Sequence, residues 1–195
     1  MHYNFSTLII FSILFLSCDI FSTRTPEDPL IEGNTNPPAT TPQLVISNFI
    51  SSLQNKNILD YESLFSDTLQ GGRLFKFNPT SSAKNRFGNL FQDWNKYSEK
   101  QFITKLFSSL NKSSSPNLTL SSSLYEYTYS DSARFSSNYI LTVNHNSTSI
   151  STKFNGKFYL LLSKNKSNIW SISTWDDFES SKDSSFSDCK GAFSQ

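Results

Sequence analysis

The residues best suited to acid–base chemistry are the adjacent carboxylates Asp176 and Asp177, which directly follow Trp175. Neighbouring residues of a β-strand point to opposite faces, so this pair cannot form a facing carboxylate dyad. One carboxylate is expected to face the interior of the fold and the other to face solvent. Asp176 is therefore a candidate catalytic residue. The simpler interpretation is that either aspartate satisfies a neighbouring backbone group or a lysine.

His145 is the other catalytic candidate, and it lies between Asn144 and Asn146 near the predicted end of a strand. An acid–base role requires a positioned partner, and the sequence indicates none. A surface imidazole is the simpler interpretation. The chain has no phosphate-binding loop, dinucleotide-binding turn, zinc-protease motif or serine-hydrolase elbow. No catalytic residue is assigned beyond these two candidates, and no cofactor or metal site is predicted.

An aromatic stripe is the best candidate for a ligand-binding surface. Tyr125, Tyr127 and Tyr129 alternate along one predicted strand, and Trp175 could meet them across the sheet. Such a stripe could line a pocket for a small apolar or flat ligand. The same residues could equally form packed core or an interface patch.

The thiol of Cys18 offers covalent chemistry of another kind. It follows Ser17 and an apolar run that begins at Phe5, a run that fits the core of a secretory signal and is too short to span a bilayer as a helix. Residues 1–17 resemble a bacterial lipoprotein signal peptide, which makes Cys18 the lipidated first residue of the mature protein. That resemblance implies a lipid anchor in the cell envelope, on the periplasmic face or the cell surface. The alternative is plain secretion, with Cys18 as an ordinary thiol.

The remaining composition excludes several classes of partner and site. Only Cys18 and Cys189 are available, so neither a disulfide framework nor a cysteine-based zinc site can be built, although a bridge between these two is the rival to lipidation. The net charge is +1 and the basic residues are scattered singly, which argues against a nucleic-acid partner. Several Asn-x-Ser/Thr triplets occur, for example at Asn111 and Asn117. They could indicate a glycosylated secreted protein, but such triplets arise by chance in a chain this rich in these residues.

Three regions follow one another along the chain. After the signal peptide (1–17), residues 18–41 contain the lipidated cysteine and a proline-rich stretch without apolar periodicity, which predicts a disordered, spacer-like tether. Residues 42–195 are predicted to form a single domain. Thr41 can cap a helix that has Pro42 at its first position, and this marks the boundary.

The domain pattern predicts helices first and strands afterwards. Helical spacing begins at Pro42, resumes around Tyr61, and returns after a predicted cap at Ser98. A short strand ending at Pro79 and a loop at 80–91 lie between them. Four long alternating segments follow, at 117–130, 134–148, 152–164 and 168–178. The order is α+β: three N-terminal helices packed on a strongly bent, mostly antiparallel sheet.

This order, together with the stretches 57–65 and 169–177, resembles the cone-shaped nuclear-transport-factor-like superfamily, which includes ketosteroid isomerases and polyketide cyclases. More narrowly, the tail Phe186-x-x-x-Lys190-Gly191 resembles that of bacterial lipoproteins of this fold. The resemblance implies a cone whose interior could hold a ligand. We expect a non-enzymatic domain that binds a small ligand or an envelope protein, with an isomerase- or cyclase-type enzyme using Asp176 and a tyrosine, or a structural surface lipoprotein, as the alternatives.

Overall fold

The computed structural model of the protein describes residues 33–180 and 184–195. The predicted signal peptide, Cys18 and most of the predicted tether lie outside these residues. The helices are α1 Pro42–Gln54, α2 Ile58–Ser63, α3 Ser81–Phe87, α4 Lys96–Ser109 and α5 Phe186–Ser194, with 3₁₀ turns at Thr68–Gln70 and Gly88–Phe91. No helix in the described ranges is both long enough and apolar enough to cross a bilayer.

A single five-stranded sheet supports these helices. The strands are β1 Lys76–Asn78, β2 Asn117–Thr128, β3 Ser132–Thr142, β4 Lys153–Lys164 and β5 Trp170–Glu179. Their order across the sheet is β1-β5-β4-β3-β2, and β1 is parallel to β5 while the other pairs are antiparallel. The predicted α+β architecture is therefore confirmed.

The start of α1 follows the sequence signal closely. The Thr41 hydroxyl accepts a hydrogen bond from the Leu44 amide, and Pro42 occupies the first turn, where a missing N–H costs nothing. Val45, Phe49 and other apolar residues of α1 are buried at helical spacing. The sequence therefore places one apolar stripe of α1 against the inner face of the sheet, which we define as the face covered by helices.

The residues just before α1 are fastened to the domain. The Asp60 carboxylate accepts hydrogen bonds from the Thr35 hydroxyl and from the amides of Thr35 and Asn36. Ala39 is 7% exposed, and its carbonyl oxygen accepts from the Trp170 amide at 2.8 Å. The packed chain therefore begins before the predicted boundary at Thr41. The composition of this stretch gave no sign of these contacts, because their partners, Asp60 and Trp170, are distant in the sequence.

Two helices were absent from the sequence-based expectation. Residues 80–91 contain α3, which is only seven residues long, buries Ala83 and is capped by Thr80, so it has too little periodicity to be recognised. The tail contains α5, which begins at a capping box formed by Ser185 and Asp188. The start of α4 also differs: Asn95 is its cap, and Ser98 is the reciprocal partner within that capping box.

Aromatic side chains fill the space between the helices and the inner face of the sheet. Trp175 is fully buried, and its ring centroid lies 5.4 Å from that of Phe49, 5.7 Å from Phe158 and 4.9 Å from Phe186. These contacts join α1, β4 and α5 through one side chain of β5. Edge-to-face arrangements of this kind add to the stabilisation from burial alone.

Gly156 is required where β4 passes beneath β3 and β5. A Cβ atom there would lie 2.3 Å from the Phe178 carbonyl oxygen and 2.6 Å from the Tyr139 hydroxyl. We expect Gly156→Ala to lower the free energy of unfolding by about 1–3 kcal/mol, the usual cost of overpacking. Gly33→Ala is the matched control, because nothing lies within 4 Å of its Cβ position. Equal denaturant midpoints for the two variants would contradict this role for Gly156.

Candidate functional site

A buried carboxylate on α4 lies at the centre of the candidate site. Glu99 is 0% exposed. Its Oε2 atom accepts a hydrogen bond from the Tyr61 hydroxyl at 2.9 Å, and its Oε1 atom accepts one from the Trp94 indole nitrogen at 2.7 Å. Oε1 also accepts a hydrogen bond from the ammonium group of Lys190 on α5. Three separate elements therefore satisfy the charge of Glu99.

Lys190 is held in an aromatic cage. Its Nζ atom lies 3.7 Å from the ring centroid of Phe77 and 3.9 Å from that of Trp175, with the Trp94 ring at 5.6 Å. Cations are attracted to the negative faces of aromatic rings, most strongly where water is excluded. The ammonium group therefore has an anionic partner on one side and π-faces around it, although it is itself 0% exposed.

Burial and the partner carboxylate act in opposite directions on the pKa of Lys190, and burial is the larger effect. Desolvation lowers the pKa of Lys190, while the charge and hydrogen bond of Glu99 act to raise it. Desolvation, reinforced by the nearby Glu99 carboxylate, raises the pKa of Tyr61 well above its usual value. Tyr61 is thus a neutral hydrogen-bond donor, and the paired ions tie α5 to α4.

A second buried carboxylate belongs to β5. Asp177 Oδ1 accepts from the Tyr139 hydroxyl at 2.8 Å, and Oδ2 accepts from both the Ser187 amide at 2.7 Å and the Ser187 hydroxyl at 2.6 Å. The Tyr139 oxygen in turn accepts from the Phe186 amide at 2.7 Å. Desolvation raises the pKa of Asp177, and these hydrogen bonds act in the opposite direction. The amides of the first turn of α5 therefore bind directly to this carboxylate–tyrosine pair.

The local sequence explains why α5 lies against both carboxylates. Its N-terminal capping box orients the first turn, and the Lys105 ammonium group donates to the carbonyl oxygens of Ser194 and Gln195 at its end. Gly191 lets the helix approach α3, because a Cβ atom there would lie 2.3 Å from the Phe87 ring. The side chain of Phe186 enters the core, with ring centroids 4.7 Å from Tyr139 and 4.9 Å from Trp175.

This arrangement holds the fold together and leaves little capacity for proton transfer. A general base needs a lone pair within reach of a substrate. Glu99 and Asp177 are both buried, and each already accepts three hydrogen bonds from the chain itself. The described ranges also contain no cluster of three or more His, Cys, Asp or Glu residues that could hold a metal ion.

The two catalytic candidates from the sequence lie in other surroundings. Asp176 faces away from the cluster and accepts a hydrogen bond from the Asn78 side chain on β1. His145 is 8% exposed, so it is not the expected surface imidazole: its Nε2 lies 3.2 Å from the Ser151 carbonyl oxygen and its ring packs against Phe193. The alternation rule correctly separated the two aspartates, but the interior member is Asp177.

The predicted tyrosine stripe is divided between the two faces of the sheet. A register shift between Tyr125 and Tyr127 places an extra residue in β2. Tyr125 consequently packs on Phe135 of the inner face, whereas Tyr127 stacks on Tyr129, which is exposed. Trp175 lies at the centre of the core, where among the described residues its ring pairs with four phenylalanines and with none of these tyrosines.

The sequence analysis missed Glu99 and gave Lys190 no chemical role. Glu99 lies in a helix with many polar residues, where a glutamate usually faces solvent, and 91 positions separate it from its partner. One signal was available. The tail Phe186-x-x-x-Lys190-Gly191 contains the three residues that respectively enter the core, pair with Glu99 and contact Phe87.

Comparison with known proteins identifies the fold. No protein-family model matches the chain, and no curated protein matches it. Among solved structures, a protein described as a scytalone dehydratase from Novosphingobium aromaticivorans has a TM-score of 0.51 and 8% identity, covering 71% of this chain and 81% of its own. A hexachlorocyclohexane dehydrochlorinase has a TM-score of 0.50 and 6% identity, covering 70% and 81%.

A nuclear transport factor 2-like superfamily protein from Salmonella enterica is similar to the same extent. Its TM-score is 0.50 at 10% identity, with 71% of this chain and 87% of that chain covered. At such identities the similarity shows the fold and not the activity. The domain therefore has the nuclear-transport-factor-like fold that its order of helices and strands predicted.

The Glu99–Lys190 pair should dominate the response of the domain to mutation. Lys190→Met removes the ammonium group and leaves a buried carboxylate unpaired, which typically costs about 3–5 kcal/mol. Lys190→Met/Glu99→Gln should recover much of that loss, because the amide keeps an acceptor for Trp94 or Tyr61 without a buried charge. Denaturant unfolding followed by tryptophan fluorescence measures both changes.

Lys100→Met is the matched control for Lys190→Met. Lys100 also pairs with a glutamate, Glu62, at 2.9 Å, but the lysine is 41% exposed. Its loss should therefore change the free energy of unfolding by about 1 kcal/mol or less. If Lys190→Met and Lys100→Met lowered the free energy of unfolding by the same amount, the buried pair would not stabilise the domain as the geometry indicates.

Proposed function

We propose that this protein is a lipid-anchored cell-envelope protein whose cone-like domain is a binding module and not an enzyme. The position of α5 supports the proposal that the domain is a binding module. Phe186 and Lys190 enter the inner side of the fold, where they contact Trp175, Tyr139 and Glu99. A partner would therefore bind to the outside of the domain.

One pair of side chains would suit the enzymatic alternative, but the first turn of α5 covers it. Asp177 and Tyr139 form the carboxylate–tyrosine pair that an isomerase-type mechanism would use. Their remaining hydrogen-bonding capacity is directed at the amides of Phe186 and Ser187. A substrate would have to displace these amides and the Phe186 ring before it reached either group, which favours binding over catalysis.

The anchoring half of the proposal is supported by the sequence around Cys18. Each methylene group that enters a bilayer contributes about 0.8 kcal/mol, and stable attachment requires more than one acyl chain. A diacylglyceryl group on Cys18 would supply two. Cys189, the other thiol, is fully buried and burial raises its pKa well above the usual value, so it is a poor site for modification.

Replacing the proposed acylation site should release the protein from membranes. In the native host, Cys18→Ser should move the chain from the membrane fraction to the soluble fraction after a high-salt wash. Cys189→Ala removes a thiol without touching the anchor and should leave the chain in the membrane fraction. Membrane retention of Cys18→Ser, or an unmodified Cys18 in the intact mass, would overturn the anchoring proposal.

A cavity probe tests whether the interior is closed. Titration calorimetry with toluene should show no saturable binding to the unmodified protein. Phe186→Ala should bind it, because removing this ring leaves an apolar space among Tyr139, Trp175 and Phe49. Phe178→Ala, which truncates a half-exposed ring, is the matched control and should not bind. Saturable binding by the unmodified protein would contradict a module that recognises its partner externally.

A further inference from the structure

We propose that the groove beside β1 binds an extended, acidic segment of another protein by strand addition. Two neighbouring clefts form this groove. One, of about 450 Å³, is lined by Leu74 and Phe75 on one side and by Asn95, Lys96 and Tyr97 on the other. The second, of about 490 Å³, is lined by residues 76–79 and by Asn89, Gln92 and Trp94.

The residues that line the two clefts follow one another along the chain on both walls. On the sheet side the lining passes from Phe75 to Lys76, and on the helix side from Trp94 to Asn95. Phe77 lines the second cleft, and its ring centroid lies 5.8 Å from that of Trp94 and 5.7 Å from that of Phe91. Together the two clefts therefore border β1 and the two residues that precede it.

The sheet wall of the groove is an unpaired edge. β1 pairs with β5 alone, so among the described residues no strand occupies its other side. Burial alternates from Leu74 to Phe77, with exposed and buried side chains in turn, so the strand-like pattern extends into the first cleft. Backbone groups along such an edge are the template on which an added strand forms its hydrogen bonds.

The opposite edge of the sheet is protected against the same interaction. β2 carries two register shifts, and Ser122 within it has a φ of 52°. Bulges and twisted backbone disturb the regular spacing of hydrogen-bonding groups and so discourage strand pairing. The two edges therefore differ: the β2 edge is interrupted by bulges, whereas the short β1 edge keeps its burial alternation beside the two clefts.

The charges of the groove select the chemistry of its partner. Six charged residues line the two clefts, four lysines (Lys76, Lys84, Lys96, Lys100) and two carboxylates (Glu62, Asp67), which leaves a net charge of +2. Lys96 and Lys100 pair with the two carboxylates. Lys76 and Lys84 have no ion-pair partner among the described residues, so they are available to an acidic segment.

The end of the groove beside α4 offers apolar contact in addition. Leu74 is 74% exposed and Tyr97 is 67% exposed, and both line the first cleft. Exposed apolar side chains at a groove commonly mark an interaction site. The expected partner thus has acidic residues for Lys76 and Lys84 and, two positions from an acidic one, an apolar side chain for Leu74 and Tyr97. This inference rests on the proposed function, whose external partner it characterises.

Peptide binding to the full-length chain in detergent tests the groove. The probe is a fluorescein-labelled peptide in which one valine and two glutamates occupy alternate positions with threonine between them, and fluorescence anisotropy should show saturable binding. Lys76→Glu/Lys84→Glu should weaken it by about tenfold or more, since two attractive contacts become repulsive. Lys112→Glu is the control: this exposed lysine follows the far end of α4, about 20 Å from Lys96 along the helix, and should leave binding unchanged.

A modified peptide separates strand addition from simple charge attraction. Methylation of alternate backbone nitrogens keeps the side chains but removes the N–H donors, so binding should be lost. The proposal is overturned if neither peptide binds, if both bind equally, if Lys76→Glu/Lys84→Glu binds as tightly as the unmodified protein, or if a second copy of the chain occupies the groove in sedimentation experiments. The outcomes of the Cys18 and toluene experiments do not depend on peptide binding. A failure of the strand-addition proposal can therefore be distinguished from a failure of the proposed function.

Discussion

The ion pair between Glu99 and Lys190 is the constraint on which the rest of the domain depends. Removing two charges from water is expensive, and the cost is offset only when geometry and further hydrogen bonds are favourable. Here the carboxylate also accepts from Tyr61 and Trp94, and the ammonium group lies over Phe77 and Trp175. Every element that contributes to this cluster must be in place before the pair is satisfied, which makes the arrangement specific.

Because the chain supplies the cation itself, α5 plays the part that a bound molecule could play in the same fold. Its ammonium group pairs with the Glu99 carboxylate inside the aromatic cage. Its Phe186 ring packs against Trp175, and its first amides bind the carboxylate–tyrosine pair. The two buried carboxylates therefore have their hydrogen-bond partners within the domain itself. On the surface, the unpaired β1 edge and its lysines adjoin two clefts.

Local sequence signals predicted the helices and strands, whereas the candidate site depends on contacts between residues far apart in the sequence. The cap at Thr41, Pro42 and the alternation of the long strands depend on neighbouring residues, so they were readable from the sequence. The partnership of residues 99 and 190 was not, since no periodicity links a polar helix position to a lysine so far along the chain. The tyrosine stripe was divided for a similar reason: a bulge reverses the side-chain direction without changing the alternation.

The position of Lys190 in the chain also governs when the domain can close. Chains emerge from the ribosome N-terminal end first, and Glu99 appears long before its counter-ion. Until α5 has been synthesised, the carboxylate must remain hydrated and Trp175 lacks two of its neighbours, so the nascent sheet cannot dehydrate its centre. Completion of this domain therefore requires α5, and the pairing of Lys190 with Glu99 closes a loop of 91 residues.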